Sequence, residues 1–345
     1  MKIIYTLLIL LFVIYFFAYY TNKNKIELFN SNTKFKFLYQ NEDDLEDNFG
    51  DIITPPKSKI KEYKEGFLIN QNIENFTQEQ SVKLLPKIYT PRFVWTYWEN
   101  KKERNEPYSH IKLCFQTMKK HYAKYNFKIL NELTIKNYLP NLREDLNNLM
   151  IAQKVDYYRV ALLEKYGGVW IDADTIVLKD LEEVFDKLDN GYDFVGFGCT
   201  GLKCFNGSPY PSNGVMASRP NGLLMSSCLK KLNQMLDTNN KNYEYFDLGK
   251  NTIWKCKNEL KNYNYYHFPS EYDGSRDKEG NWIHSPNHLS KTPTELLDLN
   301  KAFFILLANY ELANDEENKW FLNFTPEQIL YGEFWISDLY RKALK

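Results

Sequence analysis

The chain has 345 residues with 44 basic and 44 acidic side chains, so its formal charge is zero and its pI lies near 7. That balance argues against nucleic acid as a partner, because binding phosphate by charge needs a basic excess or a basic stripe. With 43% hydrophobic and 16% aromatic residues the chain is too core-rich to be disordered or fibrous, and at this length roughly 75% of the unfolded surface can be buried, enough for an enzyme-sized α/β body.

In chain order the first signal is Ile3 to Tyr20, 18 residues without a charge. As a helix this run spans roughly 27 Å, close to a bilayer core, which predicts a transmembrane anchor over residues 1–21. A cleaved signal peptide would end in small residues, whereas Phe16, Phe17, Tyr19 and Tyr20 crowd this exit. Lys23, Lys25, Lys34 and Lys36 outnumber Lys2 and the terminal amine, which favours a cytoplasmic body, but Glu27 offsets part of the bias and the side of the membrane is left open. Residues 22–85 are polar, carry an acidic run from Glu42 to Asp47 and the Pro55-Pro56 break, and read as a stem or linker. The catalytic body is expected over 86–345. Its five cysteines form no CxxC pair, so a structural zinc site is not expected; Cys199 and Cys204 could bridge in an oxidising compartment, although buried thiols are the simpler reading.

Arg92 to Trp98 is rich in β-formers and ends at a polar turn, predicting a first core strand whose C-terminal end is where an open α/β sheet places ligands. A helical apolar period from Tyr108 to about Tyr122 and a second strand at Asn126 to Leu130 complete a β-α-β opening. From Leu149, the residues Met150, Ile151, Val155, Tyr158, Leu162, Leu163 and Tyr166 supply an apolar helical face, with Asp156 and Arg159 together on a neighbouring one. Gly167-Gly168 should stop that helix, and Val169-Trp170-Ile171 should then form a buried strand delivering Asp172-Ala173-Asp174 at its end. Alternate strand residues share a face about 6.6 Å apart, and at an effective dielectric near 20 two such carboxylates repel by roughly 2.5 kcal/mol. A cation is expected there, and hard carboxylate ligands that leave positions for phosphate oxygens suit Mn²⁺ or Mg²⁺.

The stretch Asp156-x-x-Arg159-x-x-x-Leu163-x-x-Tyr166-Gly167-Gly168-Val169-Trp170-x-Asp172-x-Asp174 resembles the signature of DxD-containing sugar-binding glycosyltransferases: glycosyltransferase family 32, the capsular polysaccharide synthesis protein family and the glucosyltransferase domains of large clostridial toxins. Val94-Trp95-x-Tyr97-Trp98-Glu99-Asn100 resembles the first strand of the capsular group. The resemblance covers residues 86 to 180. It implies a GT-A fold, a Rossmann-like α/β/α sandwich with a mostly parallel central sheet, here preceded by a transmembrane helix. It implies transfer of a sugar, with retention, from a nucleotide-sugar donor such as a UDP- or GDP-sugar to a glycan, glycolipid or glycoprotein acceptor. By matching position, Asp156 and Arg159 would contact the donor, Asp172 the ribose or sugar, and Asp174 the metal, with Asp172 and Asp174 as the catalytic pair and Trp95 stacking on the base. An ordinary core aromatic is the competing reading of Trp95, and a surface ion pair that of Asp156 with Arg159.

Downstream, Phe194 to Phe197 reads as a strand, and Pro211 to Ser218 resembles the Asn-Gly-plus-strand segment that lies by the donor in related enzymes. That makes Asn213 a candidate donor contact, although Asn213-Gly214 is also a good turn dipeptide. Related enzymes often supply a late metal ligand from a C-terminal loop, a part His284 or His288 could play. Two other classes fit the sequence less well: a membrane-tethered carbohydrate-binding protein without activity, and a haloacid-dehalogenase-type phosphatase, whose site would want a different residue at Ile176 and a later acidic pair.

Overall fold

The computed structural model describes residues 89–100, 104–199, 210–238, 242–261, 263–277, 281–291 and 297–345. The expected anchor and stem, residues 1–21 and 22–85, lie outside the described residues, as does the side chain of Cys204; among the described residues no helix is long and apolar enough to cross a membrane.

The centre is a six-stranded sheet of order β2-β1-β3-β6-β5-β7: β1 (Phe93–Tyr97), β2 (Asn126–Leu130), β3 (Gly168–Ile171), β5 (Phe194–Cys199), β6 (Tyr210–Ser218) and β7 (Tyr265–Pro269). β1 pairs in parallel with β2 and β3, and β5 with β7, while β6 runs antiparallel to both β3 and β5. The mostly parallel sheet expected from the alternating pattern is therefore present. A separate two-stranded antiparallel ribbon joins β4 (Thr175–Val177) to β8 (Phe304–Leu306).

Strand alternation divides the core between the two faces. Trp95, Tyr97, Trp170 and Met216 point to one side, where they pack with α3 (Ile151–Tyr166), α5 (Leu223–Leu236) and α6 (Thr252–Glu259). Val94, Val169, Ile171, Val195 and Val215 point to the other, against α1 (Ser109–His121) and α4 (Glu182–Asp189). A short helix, α2 (Ile135–Tyr138), closes the first face beside Trp95. A third cluster joins the β4–β8 ribbon to the C-terminal helix α10 (Trp335–Leu344) through Ile176, Ile305, Ile336 and Tyr340. Between them lie α7 (Ser285–His288), α8 (Asn309–Asn314) and α9 (Pro326–Leu330). Cys114, Cys228 and Cys256 are buried free thiols.

α3 ends where the sequence says it should. Gly167 takes φ +65° and its N–H reaches back to the Leu163 carbonyl at 3.0 Å, the left-handed stop that glycine tolerates best. Gly168 follows at φ +95°, and a Cβ there would sit 2.3 Å from the Phe93 carbonyl oxygen, so only glycine lets β3 start this close to β1. The pair thus sets where β3 begins, and with it where Asp172 emerges.

Candidate active site

Asp172-Ala173-Asp174 occupies the turn between β3 and β4, past the last residue of the strand. The sequence argument that a shared strand face aligns the two carboxylates is corrected here: the chain leaves the central sheet at Ile171 and enters the ribbon at Thr175, and the turn brings the aspartates together. Asp172 is tied by its backbone N–H to the Gly214 carbonyl at 2.8 Å, and its Oδ1 accepts the Trp170 indole N–H at 2.8 Å. A Cβ on Gly214 would press on Asp172 Oδ2 at 3.2 Å, so glycine makes room for that carboxylate.

α3 brings the second half of the cluster. The helix is covered on nearly all sides, and Asp156 and Arg159 retain only 3% and 5% of their exposure. They are therefore no surface ion pair. The Arg159 guanidinium lies 3.4 Å from Asp156 Oδ1 and 3.3 Å from Asp172 Oδ1, donates to the Asn213 carbonyl, and sits over the Trp170 ring at 5.3 Å. Asn213 returns a side-chain amide to Asp156 Oδ1 at 2.9 Å. The structure thus joins Asp156, Arg159, Asp172 and Asn213 in one network, with the Asp172 side chain still 30% exposed at its outer end.

Asp174 is held from a segment that the sequence reading did not single out. Its Oδ2 accepts the Asn309 backbone N–H at 2.6 Å, and Asn309 Oδ1 lies 2.9 Å from His110 Nε2. Ala308 just before it is left-handed at φ +50°, a strained conformation for alanine that aims the Asn309 N–H at the carboxylate. Burial holds His110 down to about 4, so it is neutral and buttresses Asn309 without adding charge. The sequence shows only the apolar run Phe303 to Leu307, with Ala308 between it and Asn309, and nothing in that run marks Asn309.

Three carboxylates share this site with one guanidinium. Burial pushes Asp156 and Asp174 each up to about 6; the neighbouring Asp172 charge adds to the rise of Asp174, and Arg159 and Asn213 oppose that of Asp156. Asp172 is raised as well, by burial first, against the pull of Arg159 and Trp170. Fully ionised, the group carries two uncompensated negative charges. That excess calls for a cation or for protons.

Other expected participants stand elsewhere. Trp95 is fully buried, stacks on Phe93 at 4.6 Å, meets Tyr138 edge-on at 5.0 Å, and donates its indole N–H to the Gly167 carbonyl at 2.9 Å. It is a core aromatic with no ring face left for a nucleotide base, so the stacking role is corrected. His288 is buried with its ring stacked on Trp335 at 5.2 Å, and His284 is turned toward Glu311 at 4.0 Å. Among the described residues no group of three or more His, Cys, Asp or Glu side chains is arranged to hold a metal, so neither histidine completes a ligand set with Asp172 and Asp174.

The fold is thus a mostly parallel α/β sheet with an Asp-Arg-Asp network where β3 ends. The sequence profile of the capsular polysaccharide synthesis protein family matches residues 54–273. The chain belongs to this family and is a glycosyltransferase. Comparison with curated protein sequences gives no match. Among solved structures, the glycosyltransferase GlyE of Streptococcus pneumoniae TIGR4 is similar at 15% identity and TM-score 0.38, over 74% of this chain and 64% of that one. A glycosyltransferase involved in glycosylation of the major capsid of PBCV-1 is similar at 13% identity and TM-score 0.38, over 66% and 100%. The galactosyltransferase LgtC, solved with donor and acceptor sugar analogues, is similar at 11% identity and TM-score 0.33, over 72% and 95%. These are remote likenesses, and the family assignment stands on the sequence profile.

Proposed function

We propose that the chain is a membrane-anchored, metal-dependent GT-A glycosyltransferase that moves a sugar, with retention, from a nucleoside-diphosphate sugar to a glycan, glycolipid or glycoprotein acceptor in polysaccharide synthesis. The observation that carries the reading is the excess negative charge of Asp156, Asp172 and Asp174 over Arg159, with Asp172 open to solvent. Two neighbouring carboxylates suit a divalent ion that takes its remaining ligands from a diphosphate. Asp174 and Asp172 would hold Mn²⁺ or Mg²⁺, which when bound supplies Lewis-acid neutralisation of charge on the departing nucleoside diphosphate.

The rest of the reaction falls to the chain itself. Arg159 is locked by Asp156 and the Asn213 carbonyl, so its fork holds the Asp172 carboxylate in one orientation without reorganising during turnover. The backbone N–H of Asn309 does the same for Asp174. A bond forms between an acceptor hydroxyl oxygen and the anomeric carbon, the bond from that carbon to the diphosphate oxygen breaks, and the hydroxyl proton is released. Positioning and electrostatics carry the catalysis. The anchor is proposed on the charge-free run from Ile3 to Tyr20.

The test is donor hydrolysis across UDP- and GDP-sugars with Mn²⁺, comparing the wild-type chain with Asp174→Ala. Cleavage that vanishes in the variant and on chelation, with an unchanged circular-dichroism spectrum, is the expected result. Full activity with chelator present sinks the metal assignment.

A further inference from the structure

Around the outer edge of the carboxylate cluster the structure assembles a ring of side chains from three separate segments. Tyr245 lies within the field of the cluster: burial first, and then the charges of Asp172, Asp156 and Asp174, raise its hydroxyl. Its ring meets Phe246 at 4.9 Å and Tyr310 at 4.9 Å, and Tyr310 immediately follows the Asn309 whose N–H holds Asp174. On the far side His284 lies 4.0 Å from Glu311 and 6.4 Å, edge-on, from Trp282, which carries the Arg276 guanidinium over its face at 5.5 Å. Lys250 lies over Phe246 at 5.4 Å, follows the Gly249 packed on Asp156, and lies within the field of the Arg276 charge. Tyr310, Phe246 and Trp282 are 60%, 51% and 45% exposed.

Large aromatic faces are costly to leave in water. Phe246, Tyr245 and Tyr310 form a continuous aromatic run on one side, and on the other Trp282 stands among Arg276, His284 and Glu311, groups that exchange hydrogen bonds with hydroxyls. A lipid partner would bury a continuous apolar patch without such polar groups. A pyranose instead presents both chemistries at once: an apolar C–H face that lies on an aromatic ring, and an equatorial fringe of hydroxyls. The rim also borders the carboxylates, where a sugar hydroxyl has to arrive for transfer.

We infer that this rim is the acceptor platform, that the acceptor is a carbohydrate, and that Tyr310 and Trp282 are the faces on which its terminal sugar rings stack. The inference rests on the glycosyltransferase reading and deepens it by naming the acceptor class.

The experiment is saturation-transfer NMR on the full-length chain with methyl glycosides of glucose, galactose and mannose and with lactose, and in separate samples with UDP and GDP. Saturation of ring C–H protons is expected for at least one sugar. It should be lost in Tyr310→Ala and in Trp282→Ala, kept in Tyr310→Phe, and kept in Trp320→Ala, which removes an exposed tryptophan whose ring packs on Phe324 and Phe334 rather than on any of the rim side chains named above. Thermal melts of each variant separate lost binding from lost fold. No saturation of any sugar by the wild-type chain overturns the inference, as does saturation that survives both alanine variants. Loss of the uracil or guanine signals in place of the sugar signals overturns it too, by assigning the rim to the donor base. A wild-type chain that cleaves donor yet saturates no sugar defeats the acceptor assignment alone, whereas sugar binding without donor cleavage leaves the platform standing and defeats the catalytic reading.

Discussion

Arg159 meets Asp156, Asp172 and the Asn213 carbonyl from one planar group, a task that depends on the guanidinium having several donors in fixed directions. Lysine in its place would keep the charge and lose the fork. Because hydrogen bonds to charged groups are worth about 1.5–3 kcal/mol each, Arg159→Lys is expected to lower kcat/KM roughly ten- to a hundredfold, measured by donor hydrolysis at saturating Mn²⁺. The sequence brought Asp156 and Arg159 together because the helix period pairs them, and it set Asp172 just past an apolar strand, although the turn and not the strand period orients that carboxylate. Trp95 was misread because stacking on a base and stacking on Phe93 leave the same mark in a sequence. Asn309 was invisible for a different reason. Its contribution to Asp174 is a backbone N–H, which any residue carries.

At the scale of elements, the site depends on how closely α3 is approached by the π-helical turn Asp247–Asn251, which covers Asp156. Gly249 in this turn has φ −99° and ψ −106°, and a Cβ built there would lie 2.4 Å from Asp156 Oδ1. Gly249→Ala must push the turn off the helix or displace the carboxylate, and overpacking of this kind costs about 1–3 kcal/mol. A Tm lowered by several degrees together with reduced donor turnover is expected; a variant with unchanged Tm and activity would show that the approach is not needed. The sequence had marked the helix, its Gly167-Gly168 stop and the following strand with near-correct bounds. It carried no comparable sign for the turn at Asp247–Asn251, since a glycine there reads as an ordinary loop residue until the neighbour it must clear is known.

For the whole molecule, the pH dependence of stability offers a check at a carboxyl outside the catalytic cluster. Asp273 is fully buried in the segment after β7; its Oδ1 accepts the Ser275 N–H at 2.9 Å, and burial pushes the carboxyl up to about 6 from an ordinary value of 3.8. The folded state therefore holds this proton more tightly than the unfolded chain. The contribution to stability is complete below pH 3.8 and is lost as pH rises through 6, for a total of about 3 kcal/mol. Unfolding free energies from urea titrations between pH 4 and 7 should show a decline to which Asp156 and Asp174 also contribute, and Asp273→Asn should reduce it by about 3 kcal/mol; a variant as steep as the wild type would refute the assignment.

What the sequence determined alone were features written in local periods: the charge-free run at the N-terminus, the alternation of strands and helices, the Gly-Gly stop and the aspartates delivered beyond it. Tertiary structure decided everything that depends on distance across the chain. It alone put Asn309 on Asp174, 135 residues away in sequence, committed Trp95 and His288 to the core, and set Tyr245 against Tyr310. The physical reason is that hydrophobic pattern and turn chemistry act over a few residues, whereas the neighbours that give a side chain its charge, exposure and partners are set by which faces pack together, and packing is a property of the folded whole.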